Sequence, residues 1–343
     1  MILRMLNKYY WIKSILPEAF KKYKLEISIL SEQRNSTIFL LKLNNKKKYV
    51  LKRYKYDAYN TRNRLKSEVD AISFFKEIKL KNVPKILYYN EKFGYILMNY
   101  IHGRKIKKIK KIHIKKAISF LKKINENRHK AKSLMNASEC CFNLSCLFNI
   151  INYRYNLLNS SGIDLCNIGL YDILKEIIEL YNNLKRHFEH EYGSLYKDIL
   201  LKETEKEKRI LSPSDFGLHN ALERRGEVIF LDFEYFGWDD IAKLTGDFLF
   251  HPGMDLNLDL KKYFLKKILD IFDFVPHLEK RIKIFYPFLG INWTLRLLNE
   301  FLPYKIQKIE KDLAVQRKIQ KIQFQKAQLY INRIKEEWDS PYI

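Results

Sequence analysis

Apolar and polar positions along the chain change rhythm twice. The residues up to about Tyr23 alternate at helix-like spacing and then break. A shorter rhythm follows. Leu25–Leu30 reads as a strand, Ser31–Ser36 as a polar turn, Thr37–Leu43 as a second strand, Asn44–Lys48 as a hairpin tip and Tyr49–Tyr54 as a third strand. Between about Arg62 and Lys79, Leu65, Val69, Ile72 and Phe74/Phe75 recur at helical spacing. Val83–Tyr89 and Tyr95–Tyr100 predict two further strands, the second running into Ile101-His102-Gly103. Beyond Gly103 the pattern is helical except near Leu211–Phe233, where two apolar runs flank a polar hairpin, Glu223–Glu227. Strands, one helix, strands and then helices is the α+β order of a bilobal protein. The expected organisation is a helical segment over 1–24, a small β-rich N-lobe over 25–101, and a larger, mostly helical C-lobe with an embedded hairpin over 102–343.

The 343 residues suffice for two lobes that each bury a core. Apolar residues at 47% and charged residues at 30% fit a folded soluble chain rather than a disordered one. Cys140, Cys141, Cys146 and Cys166 show no zinc-like spacing, and the adjacent pair is too close for an easy bridge, so reduced structural thiols are expected. No apolar stretch follows the basic start MILRMLNKYYWIK, and none later is long enough to span a bilayer; a cytoplasmic protein with no transmembrane segment is the expectation.

The net charge of +25 would attract polyanions. Lys outnumbers Arg about three to one, however, and Arg is the usual residue for bidentate phosphate or base recognition, so the excess reads as solvated surface. The run from Arg104 to Lys116 places Ile every three residues or so between lysines. A membrane-surface helix is one reading, and a solvated helix start with its isoleucines packed inward is the favoured one. The basic tail Tyr304–Trp338 reads as a packing helix, and no zinc finger, aromatic RNA motif or Arg-rich strip points to specific nucleic-acid binding.

The segment Ser212-Pro-Ser-Asp215-Phe-Gly-Leu-His-Asn220-Ala-Leu is followed by the apolar run Val228-Ile-Phe-Leu-Asp232-Phe-Glu234. Phosphoryl transfer needs such a carboxylate–amide–carboxylate set: one carboxylate aligns the attacking hydroxyl and accepts its proton, while hard oxygen donors hold magnesium against nucleotide phosphates. A hairpin would bring Asn220 and Asp232 side by side. His219 reads as a hydrogen-bonding residue of the same loop, and Asp239 or Asp240 as a turn residue or helix cap before Ile241.

Asp215-x4-Asn220 with Asp232 after a strand resembles the aminoglycoside-phosphotransferase and choline-kinase branch of the protein-kinase-like fold. The phrases SPSDFGLHNAL, FLDFEYFGWDD and INWTLRLLNEFLP resemble a bacterial phosphotransferase-family group of unsettled substrate, over about Leu25 to Pro303. The resemblance implies a small-molecule kinase using ATP and Mg, with Asp215 as catalytic base and Asn220 and Asp232 as metal ligands. It implies that Lys52 contacts the α- and β-phosphates, that Glu68 is its ion-pair partner, and that the Asn99 carbonyl and Ile101 amide pair with adenine at a hinge. Asp240 and Asp247 match acidic positions that brace the catalytic loop.

Two positions depart from the family pattern. Pro213-Ser214 stands where His-Gly usually precedes the base, and the phosphate-covering turn Ser31–Ser36 has no glycine, leaving Arg34, Asn35 and Ser36 to supply side-chain donors. Trp293, Arg296, Asn299 and Glu300 fall at three- or four-residue spacing. They are candidates, with Glu234 and Asp239, for holding a sugar or amine acceptor; core packing is the alternative for that helix. The leading reading is a phosphotransferase moving the γ-phosphate to a hydroxyl of a small molecule, a sugar or glycan precursor or an amino-alcohol. A kinase-like nucleotide-binding scaffold and a basic nucleic-acid or membrane-surface binder are the alternatives.

Overall fold

The computed structural model describes residues 9–33, 35–44, 46–55, 62–160, 169–254, 256–302 and 313–339. Arg34, Cys166, Pro303 and the first part of the predicted tail helix, 304–312, lie outside the described residues. The chain forms two compact units, one of 1–107, 123–135 and 218–237, the other of 108–122, 136–217 and 238–343.

The first unit is built on a five-stranded antiparallel sheet in the order β1-β2-β3-β5-β4. Its strands are β1 (Leu25–Glu32), β2 (Ser36–Leu43), β3 (Lys47–Tyr54), β4 (Ile86–Asn90) and β5 (Tyr95–Asn99). Two short helices, α1 (Tyr10–Ile15) and α2 (Glu18–Lys21), precede it. Ile12 and Leu16 pack with Phe39, Leu41, Leu43, Leu51, Tyr95 and Leu97, a set that alternates along β2, β3 and β5 and therefore shares one face. Lys52, next to Leu51 and opposite Ile96 in the register, must face the other way. Helix α3 (Arg64–Glu77) starts where the Asn63 side chain accepts from Lys66 N at 3.0 Å, and it buries Leu65, Glu68, Val69, Ile72 and Phe75 along one side.

A three-stranded sheet in the same unit joins β6 (Arg104–Lys105), β8 (Ala221–Arg224) and β9 (Glu227–Phe230). Arg224 pairs with Glu227, so the hairpin turns on Arg225 and Gly226, with φ of 51° and 78°. Two positive φ values are what a tight two-residue hairpin turn demands. The basic run is thus split: Arg104 and Lys105 lie in a strand, and the helix α4 (Lys111–Glu126) begins only at Lys111. Ile114 and Ile118 on α4 are buried as expected, whereas Ile112 is exposed.

The second unit is helical: α5 (Leu144–Asn159), α6 (Leu170–Tyr192), α7 (Ser194–Leu201), α8 (Ile241–Phe250), α9 (Leu258–Ile271), α10 (Leu278–Leu297) and α11 (Leu313–Glu337). Sixteen of the twenty residues of α10 are buried, the all-round pattern of a helix packed on every side, here by α5, α6, α8 and α11. Phe120 of α4 stacks on Phe216, which meets Phe248 of α8, which stacks on Phe264 of α9. This aromatic column anchors the residue that follows Asp215. Cys140, Cys141 and Cys146 are free thiols. Among the described residues no helix is long and apolar enough to cross a membrane.

Candidate active site: a lysine–carboxylate cluster and the Asp215 loop

In the first unit Lys52 reaches three carboxylates: Glu68 at 2.7 Å, Asp232 at 2.5 Å and Glu234 at 2.9 Å. Each arrives for a local reason. Lys52 lies on the face of β3 opposite the α1 cluster, and Glu68 lies one turn into α3 on its buried side. Asp232 and Glu234 flank Phe233, whose ring meets Phe75 of α3 edge-on with centroids 4.7 Å apart. Glu68 and Phe75 are seven residues apart, on one helical face, so one helix presents both the ion-pair partner and the apolar anchor. The Phe233 amide also donates to Glu68 Oε1 at 3.4 Å, and the Tyr54 hydroxyl bonds Glu68 Oε2.

Burial alone would lower the Lys52 pKa, but the facing charges of Asp232 and Glu68, then Tyr54 and Glu234, outweigh it and hold the ammonium well above the ordinary lysine value. Asp232 is pushed up to about 6, by burial first and by its neighbours Glu68 and Glu234, with Lys52 pulling the other way. Carboxylate oxygens of Glu68, Asp232 and Glu234 lie within 4.8 Å of one another. Such hard donors, with Asn220 nearby in the chain, suit magnesium rather than a soft metal.

The hairpin register explains how Asn220 and Asp232 come to the same end of β8 and β9. Ala221 pairs with Phe230, and Leu231 N donates to Asn220 O at 2.8 Å, which sets Asp232 one residue beyond that bond. Asp232 has φ 64°, a left-handed conformation that costs a non-glycine residue about 1–3 kcal/mol and tends to collect at functional sites. His219 sits between Leu218 and Asn220 in a single 3₁₀ turn.

The glycine-less turn closes over this cluster. Asn35 Nδ2 donates to Glu234 Oε1 at 3.0 Å and also bonds the Tyr235 hydroxyl. Ser36 is fully buried, and its Oγ bonds Gln33 Oε1 at 3.3 Å. Arg62 Nη2 donates to the Phe236 carbonyl at 3.1 Å. At the far end of β5, Asn99 Oδ1 accepts from Lys85 N at 2.6 Å, and Ile101 lies half-buried two residues past the strand.

In the second unit Asp215 follows β7 (Ile210–Ser212), a fully buried strand. Ser214 has φ 65°, which a glycine would adopt without cost. Two hydrogen bonds hold it there: Ser214 N donates to Ser212 Oγ at 2.9 Å, and Ser214 Oγ donates to Ser138 O at 2.9 Å. Asp215 Oδ1 lies 3.1 Å from His251 Nε2. The His251 ring meets Trp293 edge-on at 4.6 Å, and Trp293 Nε1 donates to Asp247 Oδ1 at 3.0 Å.

Lys243 bridges Asp247 at 2.8 Å and Asp239 at 3.2 Å. Asp239 is fully buried, accepts from Cys141 N at 3.2 Å, and is pushed up to about 6 by burial against the pull of Lys243. Asp240 is the cap of α8: its Oδ1 accepts from Ala242 N at 2.8 Å and its Oδ2 pairs with Arg281 at 2.7 Å.

Trp293 is only 9% exposed and carries the Arg296 guanidinium on its face, 4.6 Å from the ring centroid. Arg296 in turn pairs with Glu139 at 2.8 Å, and Arg154 pairs with the same carboxylate at 2.5 Å. Burial would raise the Glu139 pKa, but Arg296 and Arg154 hold it down to about 2. Helix α10 ends at Leu297, so Asn299 and Glu300 lie in the following 3₁₀ turn, Leu298–Phe301, and do not continue the helical side of Trp293 and Arg296. The Glu300 carbonyl accepts from Gln316 and Gln320 of α11, each at 3.1 Å.

Sequence reading did not single out His251, Glu139, Arg154, Lys243 or Tyr54. His251 lies 36 positions from Asp215 in the chain, and no local pattern joins them; its one visible sign is the His-Pro-Gly stop after an apolar helix.

No protein-family model and no curated protein matches the chain. Solved structures do. A spectinomycin phosphotransferase in complex with ADP and spectinomycin matches at TM-score 0.61 and 12% identity, covering 92% of this chain and 94% of that one. A choline kinase from Cryptosporidium parvum Iowa II matches at TM-score 0.56 and 13% identity, with 96% and 94% coverage. An ADP-bound aminoglycoside phosphotransferase matches at TM-score 0.52 and 20% identity, with 94% and 97% coverage. The fold is therefore the protein-kinase-like one shared by aminoglycoside phosphotransferases and choline kinases.

Proposed function

We propose that the chain is an ATP- and magnesium-dependent phosphotransferase that moves the γ-phosphate to a hydroxyl of a small molecule. The observation that carries this reading is the buried Lys52–Glu68–Asp232 set, a strand lysine held charged by a helix carboxylate and by the first acid after a hairpin. A burial of this kind is costly without a role for the charge. Lys52 meets the α- and β-phosphates, and Glu68 keeps its flexible ammonium in place. Asn220 and Asp232 would hold the metal, with the Asp232 carboxylate lying among those of Glu68 and Glu234. The chemistry a magnesium ion would supply there is neutralisation of phosphate charge. Asp215 orients the acceptor hydroxyl and takes its proton as the oxygen bonds to the γ-phosphorus and the bond to the bridging oxygen of ADP breaks. We assign Asn35 and Ser36 to the phosphates, and the Asn99 carbonyl and Ile101 amide to adenine.

The acceptor is a hydroxylated metabolite, with a sugar or glycan precursor first and an amino-alcohol second. Trp293 and Arg296, with Glu139 paired to Arg296, are the groups we assign to the acceptor, together with Asn299 and Glu300 of the following turn and with Glu234 and Asp239. The test is magnesium-dependent ADP release with a pooled metabolite extract, comparing the native protein with Asp215→Asn and Lys52→Met. Acceptor-dependent release lost in both variants supports the reading. Equal turnover by native protein and Asp215→Asn removes Asp215 as base, and MgATP binding with no acceptor-dependent release in any extract favours a nucleotide-binding scaffold.

A further inference from the structure

We propose that His251 is a positioning residue for the transfer step, donating its Nε2–H to Asp215 Oδ1 so that the other carboxylate oxygen is the one turned toward the attacking hydroxyl. The proposal rests on Asp215 being the base. His251 Nε2 and Asp215 Oδ1 are 3.1 Å apart, with both side chains partly buried. The other ring nitrogen fixes which one carries the proton. His251 Nδ1 accepts from Gly253 N at 2.9 Å, so in the neutral ring Nδ1 is a lone pair and the hydrogen is on Nε2. That acceptance is built into the chain: His251-Pro252-Gly253-Met254 is a turn closed by Met254 N to His251 O at 2.9 Å, with proline at its second position and the Gly253 amide folded back onto the ring.

The ring is also held from the side. Trp293 meets it at 73° with centroids 4.6 Å apart, and Trp293 is pinned through Nε1 to Asp247, which Lys243 holds at 2.8 Å. A donor of fixed tautomer on one oxygen favours one orientation of the carboxylate before the reaction begins. A base oriented by a third group is a recurrent arrangement in catalysis.

A purely structural histidine would tie the end of α8 to the Asp215 loop and nothing more, and the experiment separates the two roles. MgATP hydrolysis, with water standing in for the acceptor hydroxyl, is measured for the native protein, His251→Gln, His251→Ala and Asp215→Asn, with urea midpoints read in parallel. Gln places its Nε2 donor near the position of the imidazole Nε2, so His251→Gln should keep kcat within about threefold, while His251→Ala loses about tenfold or more in kcat with KM for ATP unchanged. Slow hydrolysis by Asp215→Asn with native kcat in His251→Ala overturns this proposal alone; native hydrolysis by Asp215→Asn overturns the base assignment and this proposal with it. Should His251→Ala fail to fold, failure of His251→Gln to hold kcat at an unchanged urea midpoint also overturns it. Nitrogen-15 NMR of the imidazole in the folded native protein gives an independent reading. A neutral ring protonated on Nε2, with a signal that moves in Asp215→Asn, is expected, and a ring protonated on Nδ1 overturns the proposal.

Discussion

A lysine ringed by three carboxylates is stable only while all four charges stay together. Lys52 is 3% exposed, and Glu68 and Glu234 are buried with it. Lys52→Met leaves those acids facing one another without a cation, so a loss of about 3–5 kcal/mol is expected in urea unfolding at pH 7, together with loss of MgATP binding. Ser214 stands at φ 65°, where the family pattern has glycine. Ser214→Gly gains backbone ease and gives up one side-chain bond, two effects of about 1 kcal/mol each that nearly cancel, whereas Ser214→Ala keeps the strain and loses about 1 kcal/mol. Unfolding midpoints of the pair check this.

Glu139 gives a pH-dependent case. Its pKa is held down to about 2 by Arg296 and Arg154, below the ordinary carboxylate value. A depressed carboxylate contributes stability that is complete above its unfolded-state pKa and lost as pH falls through its folded one. The gap in stability between the native protein and Glu139→Gln should therefore be full at neutral pH and should close as pH falls from about 5 to 2, as followed by urea titrations across that range.

Among the elements, α10 decides most about the helical unit. Its burial on every side means that its amides open only when that unit loses its core, so they should exchange with deuterium more slowly than those of the short helix α2, which buries no residue. Gly290 is a point where two neighbours press on the helix at once. A Cβ there would lie 2.7 Å from Ile334 Cγ1 and 2.8 Å from Phe250 Cζ. Gly290→Ala gains helix propensity yet must push an aromatic ring and a β-branched side chain apart, so a net loss of about 1–3 kcal/mol is expected by thermal or urea unfolding. In the first unit α3 does the corresponding work, presenting Glu68 to Lys52 and Phe75 to Phe233 from one face.

For the molecule as a whole, nucleotide binding and the +25 charge make separable claims. If MgATP binds the native chain, a concentration one hundred times its Kd should add about 2.7 kcal/mol to unfolding, and Lys52→Met should show no such gain. Retention on a polyanion should instead fall steeply with salt and be unchanged by Asp215→Asn, because it reports the lysine-rich surface and not the cluster.

Much of this architecture was legible in the linear pattern. The strands and helix of the first unit follow from period-two and helical apolar spacing; Asp215, Asn220 and Asp232 stood out because phosphoryl transfer uses a carboxylate–amide–carboxylate set, and Lys52 and Glu68 through the resemblance to aminoglycoside phosphotransferases and choline kinases. Local periodicity determines such elements because each side chain's face is fixed by its neighbours a few positions away. Only the tertiary structure decided that the 218–237 hairpin belongs with the strands of the first unit, that Glu234 joins Lys52, that Asp240 pairs with Arg281, and that His251 meets Asp215. Those partners are brought together by packing and hydrogen bonding across long stretches of chain, and sequence spacing carries no record of distances set in that way.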